Sequence, residues 1–152
     1  MKEESDMLMN LLLGLPIMML CLLFQGILLV LAIRFYVKNQ TWVDSPRLGA
    51  RIPVLAGVMT LLVVGNLVQV GIWATLFFKL GEFTEFDVAM YHSLVNFSTL
   101  GYGDIVMSDK WRLLGPLESL NGIIMVGVST SALMLTIQDT YSSFLKKPKR
   151  MK

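Results

Sequence analysis

Residue types from which reactive sites are built are nearly missing from this 152-residue chain: it has one cysteine, Cys21, and one histidine, His92. A single cysteine excludes an intrachain disulfide and leaves the redox compartment unread. One histidine and one cysteine leave too little for a metal cluster or a nucleophile–base pair, so an enzyme is not expected. Charge is also scarce, at 16% of residues, and a net charge of +2 points to no nucleic-acid partner. Long polar stretches are absent, which leaves no room in these residues for a second, water-soluble domain. What is abundant is apolar: 55% of residues are hydrophobic and the mean hydropathy is +0.64. A membrane span needs about 20 consecutive apolar residues, and residues 11–33, 53–78 and 113–137 each qualify.

The flanks of these runs carry the topology. Residues 1–10 are acidic, with Glu3, Glu4 and Asp6. They lack the positive leading region and small-residue cleavage site of a signal peptide, so residues 11–33 are expected to stay as a helix. The connection 34–52 holds Arg34, Lys38, Arg47 and Arg51 against Asp44, and the end of the chain holds Lys146, Lys147, Lys149, Arg150 and Lys152. The interval 79–112 holds Lys79, Lys110 and Arg112 against Glu82, Glu85, Asp87, Asp104 and Asp109. Basic segments stay on the cytoplasmic side, which places the N-terminus and the 79–112 interval outside and the C-terminus in the cytoplasm. Within the spans, Asn66 and Gln69 are expected to bond to neighbouring helices. Pro53 suits the first turn of the second helix. Thr84 with Asp87 resembles a capping box for a short helix over about residues 85–98.

That short helix leads into Thr99-Leu100-Gly101-Tyr102-Gly103-Asp104. Gly101 and Gly103 reach backbone angles that other residues take only at a cost. A chain that alternates such angles with ordinary ones can turn successive carbonyls to one side. The run resembles the Thr-Val-Gly-Tyr-Gly signature of the potassium channels, in which four such loops replace an ion's water shell with carbonyl oxygens; Leu100 stands in the valine place. Residues 53–140 resemble the pore module of the two-helix pore-loop potassium channels, with residues 1–52 as an added N-terminal helix and connection and residues 141–152 as a basic cytoplasmic tail.

The resemblance implies an all-α membrane protein with three transmembrane helices. A re-entrant pore helix and filter loop would lie between the second and third. It implies a passive potassium channel of four identical chains in the cell's inner membrane, with potassium as the permeant ion and no cofactor. Thr99, Leu100, Gly101 and Tyr102 would coordinate potassium within the filter that Gly103 completes, and Asp104 would guard the outer mouth. Some relatives brace that aspartate from a glutamate where Val95 stands here; Tyr91 is placed to do so instead, with His92 beside it as packing residue or proton sensor. Ser129, Thr130 and Thr136 would line an inner cavity or bond between helices. Gly127 or Gly122 would bend the inner helix or allow close packing. Glu118 would pair with Arg112 or with the pore helix. The basic tail would anchor the topology or bind anionic lipid head groups. The alternatives are a non-selective cation channel of the same fold, a potassium-transporter subunit and a non-conducting adaptor with a vestigial filter. Transporter relatives carry several pore modules per chain, against one here. No voltage sensor is expected, because residues 11–33 contain no arginine.

Overall fold

The computed structural model describes residues 2–43, 45 and 48–145. Among them the chain is helical, without strands: α1 (Lys2–Lys38), α2 (Gln40–Val43), α3 (Leu48–Lys79), α4 (Phe86–Phe97) and α5 (Leu114–Leu145). α1, α3 and α5 are long and apolar enough to cross a membrane, and the chain is an all-α membrane protein. The basic tail from Lys146 and the Arg47 and Asp44 of the connection lie outside the described residues.

Each long helix exceeds its apolar run. α1 begins at Lys2, because Glu3 and Glu4 in its first turn complement the partial positive charge of a helix start. Pro16 lies inside it without ending it. α3 begins at Leu48 and not at Pro53, so the proline falls inside the helix. Arg51 holds the added turn: it is buried, its Nε donates to Ser45 O at 2.8 Å, and its Nη1 donates to Thr140 O at 2.9 Å. A cationic side chain that finds backbone acceptors on two elements can be buried where a lone one could not. α5 likewise runs past residue 137 to Leu145.

α4 agrees with the predicted short helix in extent, but its start is built differently. The residue before the first turn is Glu85, extended at φ −121° and ψ 138°, and no side chain caps the helix. Asp87 instead accepts from the adjacent Val88 N at 2.9 Å, so the Thr84–Asp87 box does not form.

α4 wedges between α3 and α5, and α1 packs along both. The main core sits where the four meet, around Cys21, Trp73, Phe77, Phe83, Ala89, Trp111 and Leu114. α1 is fastened at three depths. Asn10 Nδ2 donates to Lys110 O at 2.7 Å. In mid-span, Gln69 Nε2 donates to Gln25 Oε1 at 2.8 Å, and Gln25 Nε2 donates to Ser129 Oγ at 3.0 Å. At the far end, Tyr36 Oη donates to Asp139 Oδ2 at 2.8 Å. Polar side chains at membrane depth hold helices together in this way. Gln69 thus bonds across helices as expected, whereas Asn66 Oδ1 has no partner among the described residues. Only 22% to 28% of the most apolar window of each span is buried within the chain; the rest of that apolar surface is left for lipid or for other chains.

Candidate functional site

The site grows from the C-terminal end of α4. Ser98 N donates to Leu94 O, Thr99 N to Asn96 O at 2.8 Å, and Leu100 N to Val95 O at 3.0 Å. These bonds use the last carbonyls of the helix and turn the chain out of it. Thr99 then takes φ 60°, Gly101 φ 57° and Gly103 φ 73°. The left-handed region thus recurs at every second residue from 99 to 103. The two glycines adopt it freely, but a β-branched residue there is strained by about 1–3 kcal/mol. The hydrogen bonds at Asn96 and Val95 hold Thr99 in place against that cost. The segment is uncovered: Leu100 is 54% and Tyr102 66% exposed.

The other wall of the loop is braced from α4. Tyr91 Oη donates to Asp104 Oδ2 at 2.7 Å, and Asp104 Oδ1 accepts from Ile105 N at 3.0 Å. The hydrogen bond stabilises the carboxylate, so Tyr91 is raised and Asp104 lowered from their ordinary pKa values, each chiefly by the other. This is the pair expected from the sequence. His92, one position on, is buried and faces the same strand. Its Nδ1 meets Ile105 O at 3.0 Å and its Nε2 meets Asn96 Nδ2 at 2.8 Å. A carbonyl only accepts, so Nδ1 carries the proton and Nε2 accepts from the amide. The ring stacks edge-on to Phe77 and tilted to Phe83. Burial pulls its pKa below the ordinary 6.5, opposed by the bond to Ile105.

Helix α5 supports α4 from behind with one face. Ser119 Oγ donates to Asn96 O at 2.9 Å. A Cβ added at Gly122 would stand 2.0 Å from Phe97 O, so only glycine admits the end of α4 there. At Gly115 an added Cβ would meet Asn96 Nδ2 at 3.2 Å. Glu118 is fully buried and bonds to Ser93 Oγ, which also lies 2.8 Å from Val70 O. Of the two partners expected for Glu118, the structure gives the short helix, α4; Arg112 sits instead 3.8 Å from Asp109 on the surface.

The remaining candidates divide. Gly122 is a packing contact, while an added Cβ at Gly127 would meet nothing within 4 Å. Ser129 is buried and bonded to Gln25 on α1, which is the interhelical one of its two expected roles. Thr136 Oγ1 donates to Ala132 O one turn back at 2.8 Å, and Thr130 is exposed. Sequence reasoning missed Asn96, which joins α4 to the loop, to His92 and to α5. It also missed the support face of α5, although Gly115, Ser119 and Gly122 recur at helical spacing.

Residues 65–139 match the model of a family described as ion channel. No curated protein and no solved structure matches the chain.

Proposed function

We propose that the chain is a passive, potassium-selective channel in which four copies surround one pore, a reading supported by the match of residues 65–139 to the ion-channel family. The observation that carries the reading is the alternation of left-handed backbone at Thr99, Gly101 and Gly103, in an uncovered segment that follows directly from a short helix. That is the backbone habit by which successive carbonyls can be turned to one side, and a potassium filter is four such loops around an axis. Thr99, Leu100, Gly101 and Tyr102 would offer the coordinating oxygens, with Gly103 completing the filter. One chain carries one such loop, and its Leu100 and Tyr102 side chains are left bare; closed rotational symmetry supplies both the missing loops and the cover.

In this reading α4 is a re-entrant pore helix. At 12 residues it is too short to span, and its C-terminal end directs partial negative charge towards the permeating cation. The tyrosine–aspartate bond braces the outer mouth, as a side-chain pair on the α4 side of the loop. The charge pattern puts this mouth outside and the basic C-terminal tail, a candidate for anionic lipid head groups, in the cytoplasm.

The test is ion flux through the purified protein in liposomes, first with potassium and then with sodium as the only permeant cation. Potassium flux that barium blocks, with little sodium flux, is the expected result. Equal fluxes would transfer the reading to a non-selective cation channel with a filter relaxed at Leu100. No flux from a well-folded tetramer would favour a non-conducting adaptor.

A further inference from the structure

Glu118 is an acid at membrane depth with no exposed surface and no ion pair among the described residues. A buried carboxylate without a cation is one of the costliest groups a protein can hold. Its surroundings supply hydrogen-bonding groups but no positive charge. Ser93 Oγ contacts Glu118 Oε1, and the Asn96 side chain lies beside the same carboxyl.

The protons around Ser93 can be counted. Its hydroxyl oxygen lies 2.8 Å from Val70 O and also in close contact with Glu118 Oε1. Val70 O is a carbonyl and only accepts. A serine hydroxyl has one proton, and it cannot make two full bonds with it. One proton cannot serve both acceptors; a neutral carboxyl supplies the second, donating to Ser93 Oγ while Ser93 Oγ–H donates to Val70 O, and so satisfies both contacts. The other oxygen, Oε2, has no partner among the described residues. That is tolerable for the carbonyl oxygen of a neutral acid and far costlier for one end of a carboxylate.

We propose that Glu118 is held as a neutral carboxylic acid that donates its proton to Ser93, and that this relay, from α5 through α4 to α3, positions the pore-side helix ahead of the filter. Glu118 Oε1–H donates to Ser93 Oγ, and Ser93 Oγ–H donates to Val70 O. The chain of bonds ties three helices at one level, one turn from the Ser119–Asn96 and Gly122–Phe97 contacts that set where Thr99 begins. Glu118 is thus a positioning residue: it touches no ion, and it acts through Ser93.

Two measurements on the full-length protein in lipid nanodiscs or liposomes test this. In infrared difference spectra at neutral pH, wild type minus Glu118→Gln should show a protonated-carboxyl C=O band. A carboxylate signal in its place would overturn the proposal. In potassium flux, Glu118→Gln should stay within about two-fold of wild type, because its amide N–H donates to Ser93 as the acid does. Ser93→Ala and Glu118→Ala should each lower flux about ten-fold or relax the potassium-over-sodium ratio, the scale expected for a buried bond left half made. A Glu118→Gln as impaired as Ser93→Ala would overturn the proposal even if Glu118→Ala fails to assemble. The flux arm rests on the channel reading, and absence of flux in the wild type would count against that reading alone; the infrared arm needs no conduction.

Discussion

The two ends of α5 are built on different terms. One end, from Gly115 to Gly122, presses on the backbone of α4: Ser119 Oγ donates to Asn96 O, Gly122 lies against Phe97 O, and Glu118 between them meets Ser93. At Gly122 no side chain stands between that helix and the end of α4. Its far end meets its neighbours through side-chain tips and a single arginine: Tyr36 to Asp139, and Arg51 to Thr140 O. Between them, Gly127 opens onto free space. Backbone contacts cannot give by rotamer change, whereas a tyrosine–carboxylate bond breaks and reforms at little cost. The Gly115–Gly122 half is therefore expected to hold the loop, and the far half to tolerate change better.

The sharpest way to break this comparison is a pair of glycine substitutions. Gly122→Ala puts a methyl group 2.0 Å from a backbone oxygen, which must displace α4 or α5. A loss of about 1–3 kcal/mol in unfolding free energy is expected from overpacking, together with loss of potassium flux. Gly127→Ala meets nothing and gains about 1 kcal/mol of helix propensity, so thermal stability should hold or rise and flux should persist. Equal damage from both would show that the two halves of α5 are not distinct.

The next largest effect falls at the Tyr91–Asp104 pair. Tyr91→Phe removes the 2.7 Å bond to Asp104 and leaves the ring in place. Flux should then begin normally and decay several-fold faster, read as the time course of ion uptake into liposomes. An unchanged time course would mean the aspartate needs no brace. At the opposite end, Tyr36→Phe removes bonds to Asp139 and Thr140 at 2.8 and 3.1 Å. Stability should fall by about 0.5–1.5 kcal/mol. Steady flux should change by no more than about two-fold, with no faster decay; a filter-like decay here would undo the division between the two ends.

How much of this could be read in advance depended on the kind of contact. The three spans and the short helix were legible because burial in lipid demands long apolar runs and short helices cannot cross. The Tyr91–Asp104 bond was legible because both partners sit at fixed distances from a recognisable run. The helix ends were not. Arg51 extends α3 by bonding to Ser45 and Thr140, and Thr140 lies 89 residues away, so no local signal marks it. Glu118 could be read as unusual but its partner could not, since Ser93 and Arg112 were both within reach in sequence terms and only packing chose between them. Thr99 was expected to coordinate an ion; that its backbone would share the glycines' left-handed angle is set by the hydrogen bonds that close α4, which no residue type announces.

The smallest expected effect is a titration. Burial holds His92 below its ordinary pKa of 6.5, so the folded protein takes up the proton at a lower pH than the unfolded chain does. Stability is then fully present above 6.5 and is lost as pH falls from there towards the folded value, levelling off once both states are protonated. Protonation would also place a proton on Nε2, which now accepts from Asn96. The amide would have to turn over, at the residue whose backbone carbonyl accepts from Thr99 N and Ser119 Oγ. Mild external acid should therefore lower potassium flux and the melting temperature together, by a modest amount because Asp104 and Glu82 favour the charged ring. His92→Gln keeps a donor for Ile105 O and has no proton to gain, so both curves should flatten over the same range. Persistence of the acid response in His92→Gln would move the sensor to another group; Asp104, whose carboxyl is held below its ordinary range by Tyr91, stays ionised in mild acid.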